Sequence, residues 1–296
     1  MANVWEAMKK HRAEQQSAES APAEAEDQAP QTDDQPGPKP AEPPPSGGGS
    51  PRRTRIPLRK MAEPDLVVPH VEEDADYADV LVAHHDRGSM ITEQYRALRT
   101  NLFAQYTDGR FSLAITSAEA GEGKTVTAMN LALVLAERSE YRTIVVDGDL
   151  RKCRLGHLLN IERSPGLSEV LRGEASIEEV IRPTVYPNLA VMTAGRTDLH
   201  EVSTLLGGPA LPELMHRLEK MYDHVLLDTP PVNVVSDTGM LGRVVGEALM
   251  VLRMNKTRRE SVEKAVRLLN AAKIKVAGMV LTHQKYYIPN YIYRYS

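Results

Sequence analysis

A glycine-rich segment followed directly by a basic and a hydroxyl side chain is the clearest chemical feature of this 296-residue sequence. Residues 118–125 match the phosphate-binding pattern G-x-x-x-x-G-K-[ST], except that Ala118 replaces the first glycine. Gly121 and Gly123 let backbone N–H groups turn toward a polyphosphate. We expect Lys124, a surface charge in the empty loop, to reach the β- and γ-phosphates, and the Thr125 hydroxyl to bind Mg²⁺. The residues predicted to bind the polyphosphate of a nucleotide are Ala120, Gly121, Glu122, Gly123, Lys124, Thr125 and Val126.

Carboxylates follow two further apolar runs of the sequence. Asp147 and Asp149 come after one β-rich run, with Arg151 close behind, and Asp228 ends another. Ligands of an open α/β sheet bind outside the carboxyl ends of its strands, so these groups should meet the phosphate loop. Any one of these aspartates can instead cap a helix, but three of them are hard to explain as caps alone. The predicted magnesium site is Thr125, Asp147, Asp149 and Asp228, and the predicted catalytic residues are Lys124, Asp147, Asp149 and Arg151.

Tyrosines are concentrated at the C-terminus. The last 11 residues hold five of the 11 tyrosines in the chain, namely Tyr286, Tyr287, Tyr291, Tyr293 and Tyr295. A final edge strand would also favour tyrosine, although Pro289 interrupts the run. Phenolic hydroxyls are chemically suited to accept a phosphoryl group, and whether these hydroxyls reach the phosphate-binding loop is left open by the sequence.

The elements that position the phosphate loop and the aspartates are short β-rich runs that alternate with helical stretches. The runs are nearly continuous in apolar residues, which is typical of parallel strands that are covered on both faces. Strands are predicted at 112–116, 143–146, 189–192, 224–227, 248–252 and 276–281, and helices at 91–104, 124–138, 211–222 and 258–272. This alternation predicts an α/β fold with a doubly wound, mostly parallel sheet.

The N-terminal part of the chain has a different composition. Nine of the 20 prolines fall between Pro22 and Pro51, among acidic and small residues, which predicts a disordered extension. The predicted organisation is a short helix at 1–16, a linker at 17–79, a globular domain at 80–285 and the tyrosine cluster at 286–296. Residues 51–60 carry five basic and no acidic side chains. This basic patch either solvates the linker or contacts an anionic membrane surface.

Composition excludes several classes of protein. The formal charge of −4 argues against a dedicated nucleic-acid binder, and the single cysteine, Cys153, excludes an intramolecular disulfide. No apolar run reaches the roughly 18 residues that a membrane-spanning helix needs, so we expect a cytoplasmic protein.

The combination of motifs resembles the bacterial tyrosine kinases of exopolysaccharide and capsule systems. The likeness covers about residues 80–296 and includes the Walker A loop at 118–125, a second acidic motif at 144–151, Walker B at 225–230 and the tyrosine cluster. The resemblance implies a P-loop NTPase fold of the ParA/MinD-like type. It also implies an ATP- and Mg²⁺-dependent kinase that transfers phosphate from ATP to tyrosines of a neighbouring subunit.

A fourth family motif, Glu-x-x-Arg-x-x-Arg, appears as Glu93, Arg96 and Arg99. In the family this motif joins subunits of a ring, whereas the residues read alone are a solvated charged stripe on one helical face. The resemblance further implies a membrane-embedded chain-length adaptor as partner. That partner would recruit the kinase to the inner face of the plasma membrane, where it would regulate polysaccharide polymerisation or export.

Two other functions stay open. One is a partitioning or cell-division-site switch ATPase, although such proteins carry a second lysine early in the loop, where this chain has Glu119. The other is a non-catalytic regulator that binds nucleotide to control a membrane partner. The choice between Asp147 and Asp149 as the base is also open, with a weak preference for Asp147.

Overall fold

A seven-stranded sheet forms the centre of the chain. The computed structural model describes residues 75–284, and every structural statement below concerns this part. The strands run in the order β3-β4-β2-β5-β1-β6-β7, and all neighbouring pairs are parallel except β3 with β4. They are β1 (Phe111–Ser117), β2 (Thr143–Asp147), β3 (Ile181–Pro183), β4 (Leu189–Met192), β5 (His224–Asp228), β6 (Glu247–Arg253) and β7 (Lys275–Thr282). The predicted fold class and the six predicted strands are confirmed.

Helices follow most strands, as expected of a doubly wound sheet. They are α1 (Val82–His85), α2 (Met90–Gln105), α3 (Lys124–Leu135), α4 (Leu155–Leu158), α5 (Leu167–Arg172), α6 (Ile177–Val180), α7 (Val202–Gly207), α8 (Ala210–Met221), α9 (Asp237–Val245) and α10 (Arg259–Ala271). The four predicted helices correspond to α2, α3, α8 and α10. The predicted end of the second one at residue 138 is three residues too late, because α3 ends at Leu135.

Helix α3 is enclosed by the rest of the fold. Eleven of its 12 residues are buried, because the sheet lies on one side of it and α2 packs on the other. Helix α2 begins at Met90, where the Ser89 side chain accepts a hydrogen bond of 3.1 Å from the Thr92 N–H. This packing holds the start of α3, where the phosphate loop ends, in a fixed position.

The globular domain begins earlier than the sequence predicted. The linker was expected to extend to residue 79, but Tyr77 is buried and belongs to the core cluster around α3. The Ala78 N–H also donates a hydrogen bond of 2.9 Å to the Leu158 carbonyl at the end of α4. The core therefore includes Tyr77, an aromatic side chain inside a charged stretch that the sequence assigns to the linker.

The predicted N-terminal helix at 1–16, the basic patch at 51–60 and the tyrosine cluster at 286–296 lie outside the described residues. Within residues 75–284, no helix combines the length and the apolar composition needed to cross a bilayer.

Candidate active site

The strand order brings the sequence-predicted groups to one edge of the sheet. Strand β5 lies between β1 and β2, and the backbone register pairs Asp147 directly with Asp228. On the other side of β5, Ile115 of β1 is paired with Asp228, and the phosphate loop begins three residues later. Parallel strands end at the same edge, so motifs more than 100 residues apart in sequence share one site.

Two left-handed glycines shape the phosphate loop. Gly121 and Gly123 have φ angles of +80° and +92°, a region that side chains with a Cβ atom rarely adopt. A Cβ atom at Gly121 would meet nothing within 4 Å, so conformation rather than space selects glycine there. Within the described chain, the N–H groups of residues 120–123 have no hydrogen-bond acceptor. They are therefore available to an anionic ligand at the start of α3.

Lys124 is buried among carboxylates. Its Nζ donates to Asp149 Oδ2 at 3.1 Å and lies 3.9 Å from Asp228 Oδ1, and its side chain is only 10% exposed. The expectation of a surface charge in the empty loop is therefore wrong. Burial opposes the lysine charge, but the Asp228 and Asp149 carboxylates outweigh this effect and raise the pKa of Lys124.

Thr125 and Asp228 provide an arrangement that fits Mg²⁺. The Thr125 hydroxyl donates a hydrogen bond of 2.6 Å to Asp228 Oδ2. Asp228 Oδ1 is buried and has no hydrogen-bond partner in the described chain. A buried carboxylate oxygen without a hydrogen bond is costly, and a hard cation held by hydroxyl and carboxylate oxygens would satisfy it.

The two carboxylates after β2 have different surroundings. Both oxygens of Asp147 accept backbone hydrogen bonds, from Asp149 N at 3.2 Å and from Leu155 N at 3.0 Å. Asp149 instead pairs with Lys124 and accepts a hydrogen bond of 3.2 Å from Lys152 N. Burial, reinforced by the nearby Asp228 charge, raises the pKa of Asp147. Burial also raises the pKa of Asp228, against the opposing effect of Lys124.

Arg151 contacts a residue that the sequence did not single out. Its Nε donates to Asp237 Oδ2 at 2.6 Å and a second guanidinium nitrogen donates to Oδ1 at 3.2 Å. Asp237, in the first turn of α9, is buried, whereas the Arg151 side chain is 29% exposed. Arg151 thus lies at the edge of the acidic cluster, held by Asp237 and not by the phosphate-loop groups. Acidic residues are common in the first turn of helices, so the sequence alone did not distinguish Asp237 from other such residues.

The charged motif of α2 is folded against α3. Arg96 forms ion pairs with Glu93 and Glu137, and Arg99 forms one with Glu137 at 2.7 Å. Arg99 also donates to the Val134 carbonyl. The interpretation of these residues as a solvated charged stripe is therefore only partly correct, because Glu137 binds both arginines at the C-terminal end of α3.

Comparison with known proteins identifies the family. A protein family described as an AAA domain matches residues 112–264. The tyrosine-protein kinase YwqD of Bacillus subtilis is 34% identical over 206 residues, which cover 69% of this chain and 86% of YwqD. The solved kinase domain of the Escherichia coli tyrosine kinase ETK aligns with a TM-score of 0.64 and 30% identity, over 71% of this chain and 83% of that domain. The chain belongs to the bacterial tyrosine-protein kinases.

Members of this family differ in length. The chain covers 27% of the tyrosine-protein kinase ptk of Acinetobacter johnsonii, although it covers most of YwqD. The cell-division ATPase MinD of Pyrococcus furiosus shares the fold less closely, with a TM-score of 0.51 and 28% identity over 61% of this chain. The likeness to the kinases is therefore the stronger one.

Proposed function

We propose that this chain is an ATP- and Mg²⁺-dependent protein-tyrosine kinase that phosphorylates the C-terminal tyrosines of another copy of itself. The observation that carries the proposal is the meeting of Lys124, Thr125, Asp149 and Asp228 at one edge of the sheet. Strand β7, whose C-terminal residue Thr282 contacts the phosphate loop, is followed after three residues by the tyrosine cluster. The acceptor groups are thus attached close to the site.

Each site residue has a role that suits phosphoryl transfer. The free N–H groups of residues 120–123 and the positive charge of Lys124 would hold the phosphates of ATP. Thr125 and Asp228, with Asp149, would hold Mg²⁺, which offsets charge on the phosphates. Arg151, anchored by Asp237, would add positive charge at the margin of the site. Catalysis here depends on positioning and charge neutralisation more than on covalent chemistry.

A carboxylate after β2 would accept the proton of the attacking tyrosine. Asp149 Oδ2 already accepts a hydrogen bond of 3.1 Å from the Lys124 ammonium group. Asp147 accepts only backbone hydrogen bonds and has no cation at hydrogen-bond distance in the described chain. Asp147 is therefore the better proton acceptor of the two.

The family resemblance supports a wider role, which we propose as well. The proposed partner is a membrane-embedded adaptor of a polysaccharide chain-length system, which would bring the kinase to the inner face of the plasma membrane. Phosphorylation would then regulate polymerisation or export of the polysaccharide. A nucleotide-dependent switch ATPase is the second candidate, because the MinD fold aligns with this chain.

A mixing experiment tests the proposed reaction. One variant carries Lys124→Met and an intact tyrosine cluster, and the other carries phenylalanine at all five clustered tyrosines and an intact site. Neither variant alone should gain phosphotyrosine in the last 11 residues during incubation with Mg-ATP. The mixture should gain it on the Lys124→Met chain, as detected by mass spectrometry. ATP hydrolysis by the wild type without any phosphotyrosine would overturn the kinase proposal and favour the switch ATPase.

A further inference from the structure

Glu122, inside the phosphate loop, has a side chain that points into the protein. It is only 3% exposed, whereas the neighbouring Ala120 and Gly121 are exposed. Its Oε2 accepts a hydrogen bond of 2.9 Å from the Glu119 N–H of the same loop, and its Oε1 accepts one from the Thr257 hydroxyl. Both carboxylate oxygens are therefore engaged by the protein.

These contacts join the phosphate loop to the ends of two strands. Thr257 lies in the connection between β6 and α10, where its hydroxyl also accepts a hydrogen bond of 3.0 Å from the Arg253 N–H. The Glu122 backbone carbonyl accepts a hydrogen bond of 2.8 Å from the Thr282 hydroxyl, at the end of β7. One residue of the loop thus links three segments that are distant in sequence.

We infer that Glu122 is a positioning residue that pre-shapes the loop for the phosphates of the nucleotide. Its carboxylate directs the Glu119 N–H inward, while the N–H groups of the next four residues stay free. The same contacts hold the carboxylate itself away from the phosphates, which a free negative charge in the loop would repel. Without them the loop would have to be ordered when the nucleotide binds, at a cost in affinity.

This inference rests on the proposed function only in that the loop binds a nucleotide. A pre-shaped loop holds the phosphates equally before and during transfer, so losing it should weaken binding and leave the chemical step largely unchanged. Loss of the Glu122 contacts should therefore raise Kd and KM and change kcat little. Loss of a residue that acts in the chemical step would instead lower kcat.

The test compares two substitutions at Thr257. Thr257→Val removes the hydroxyl at nearly constant shape, and Thr257→Ser retains it. Calorimetric titration with a non-hydrolysable Mg-ATP analogue should show a Kd about tenfold higher for Thr257→Val, as expected for a lost hydrogen bond to a charged acceptor. Thr257→Ser should stay within about twofold of the wild type. An unchanged Kd in Thr257→Val, or an equal loss in both variants, would overturn the inference.

Amide hydrogen exchange of the nucleotide-free protein gives a second readout. The Glu119 N–H should exchange faster in Glu122→Ala than in the wild type, because its acceptor is removed. Ser261→Ala is the matched control, since it removes the neighbouring contact of 2.6 Å between Ser261 and Glu119 without touching Glu122. Equal effects of Glu122→Ala and Ser261→Ala on exchange and Kd would contradict a specific role of Glu122. If the wild type binds the analogue but forms no phosphotyrosine, only the proposed function fails.

Discussion

Lys124, which is proposed to bind the phosphates of ATP, is also a structural residue. Its ammonium group is the one cation within 4 Å of the Asp149 and Asp228 carboxylates in the described chain, and all three side chains are buried. Breaking a buried ion pair leaves an uncompensated charge, which is more costly than losing an exposed pair.

Lys124→Met should therefore abolish phosphotyrosine formation and also destabilise the nucleotide-free protein by roughly 3 kcal/mol. Chemical denaturation with and without Mg²⁺ measures the second effect. Lys220→Met, at an exposed lysine in the last turn of α8, is the control and should change neither property. Full stability of Lys124→Met would show that the lysine does not compensate these carboxylates.

The partners of the site residues were harder to predict than the residues themselves. Glycines, Lys124 and strand-end aspartates form local patterns, and the sheet topology then brings the patterns together. The contacts of Arg96 with Glu137, Arg151 with Asp237 and Glu122 with Thr257 span 41, 86 and 135 residues. No spacing rule indicates such pairs, because they depend on which helices pack side by side.

At the scale of elements, the strands and helices that were predicted correctly are the long or well-buried ones. Five of the six predicted strands are apolar runs that are largely buried, and the sixth, β7, is an apolar edge strand that is only partly buried. The missed strand β3 is a three-residue antiparallel edge strand that ends at Pro183. The helices that were missed have four to nine residues, too few for a helical period to emerge. Helix α9 also contains two glycines, Gly239 and Gly242, which weaken its helical signal.

His224, at the start of β5, makes the stability of the fold depend on pH. Its Nε2 donates to the Gly109 carbonyl at 2.9 Å, and its Nδ1 accepts from the Thr143 hydroxyl at 3.0 Å. Burial lowers the pKa of His224. The unfolded chain thus takes up a proton near pH 6.5 that the folded chain resists, so this contribution to stability is complete above pH 6.5 and is lost as the pH falls.

His224→Gln should reduce this pH dependence. The free energy of unfolding, measured by urea denaturation at pH 7.5 and 5.5, should fall less for the variant than for the wild type over this range. At pH 7.5 the variant should be less stable by about 1–3 kcal/mol, because buried polar groups lose partners. Identical losses of stability between the two pH values would show that His224 does not titrate in this range.

The ion pairs between α2 and the end of α3 are another element-scale feature. Arg96→Ala/Arg99→Ala should lower the free energy of unfolding by about 1 kcal/mol, because these pairs are partly exposed and screened by solvent. The matched double variant Arg259→Ala/Arg267→Ala removes two exposed arginines of α10, including the exposed ion pair of 2.8 Å between Arg259 and Glu263, and should have a smaller effect. Thermal unfolding at low and high salt separates the two, since stability should lose more of its salt dependence in the first variant.

At the scale of the whole molecule, the same motif is proposed to join subunits. Glu93, Arg96 and Arg99 would hold a ring in which the tyrosine cluster of one subunit enters the site of the next. Each phosphotyrosine adds roughly −1.5 to −2 charges near pH 7. Several such charges within 11 residues, with only Lys285 and Arg294 to balance them, would repel one another and the acidic site. Phosphorylation should therefore release the cluster and open the ring.

Light scattering can decide whether tyrosine modification controls assembly. Dephosphorylated wild type should form a large particle, whereas fully phosphorylated wild type and the Arg96→Ala/Arg99→Ala variant should both be small. Arg259→Ala/Arg267→Ala, which alters charge equally at a different helix, should assemble as the dephosphorylated wild type does. If all these proteins share one mass, phosphorylation does not control assembly, and kinase activity would have to be regulated within the single subunit. A different outcome is a small particle for Arg96→Ala/Arg99→Ala together with a large particle for the phosphorylated wild type. This outcome would support the proposed interface and contradict the release of the cluster by phosphate charge.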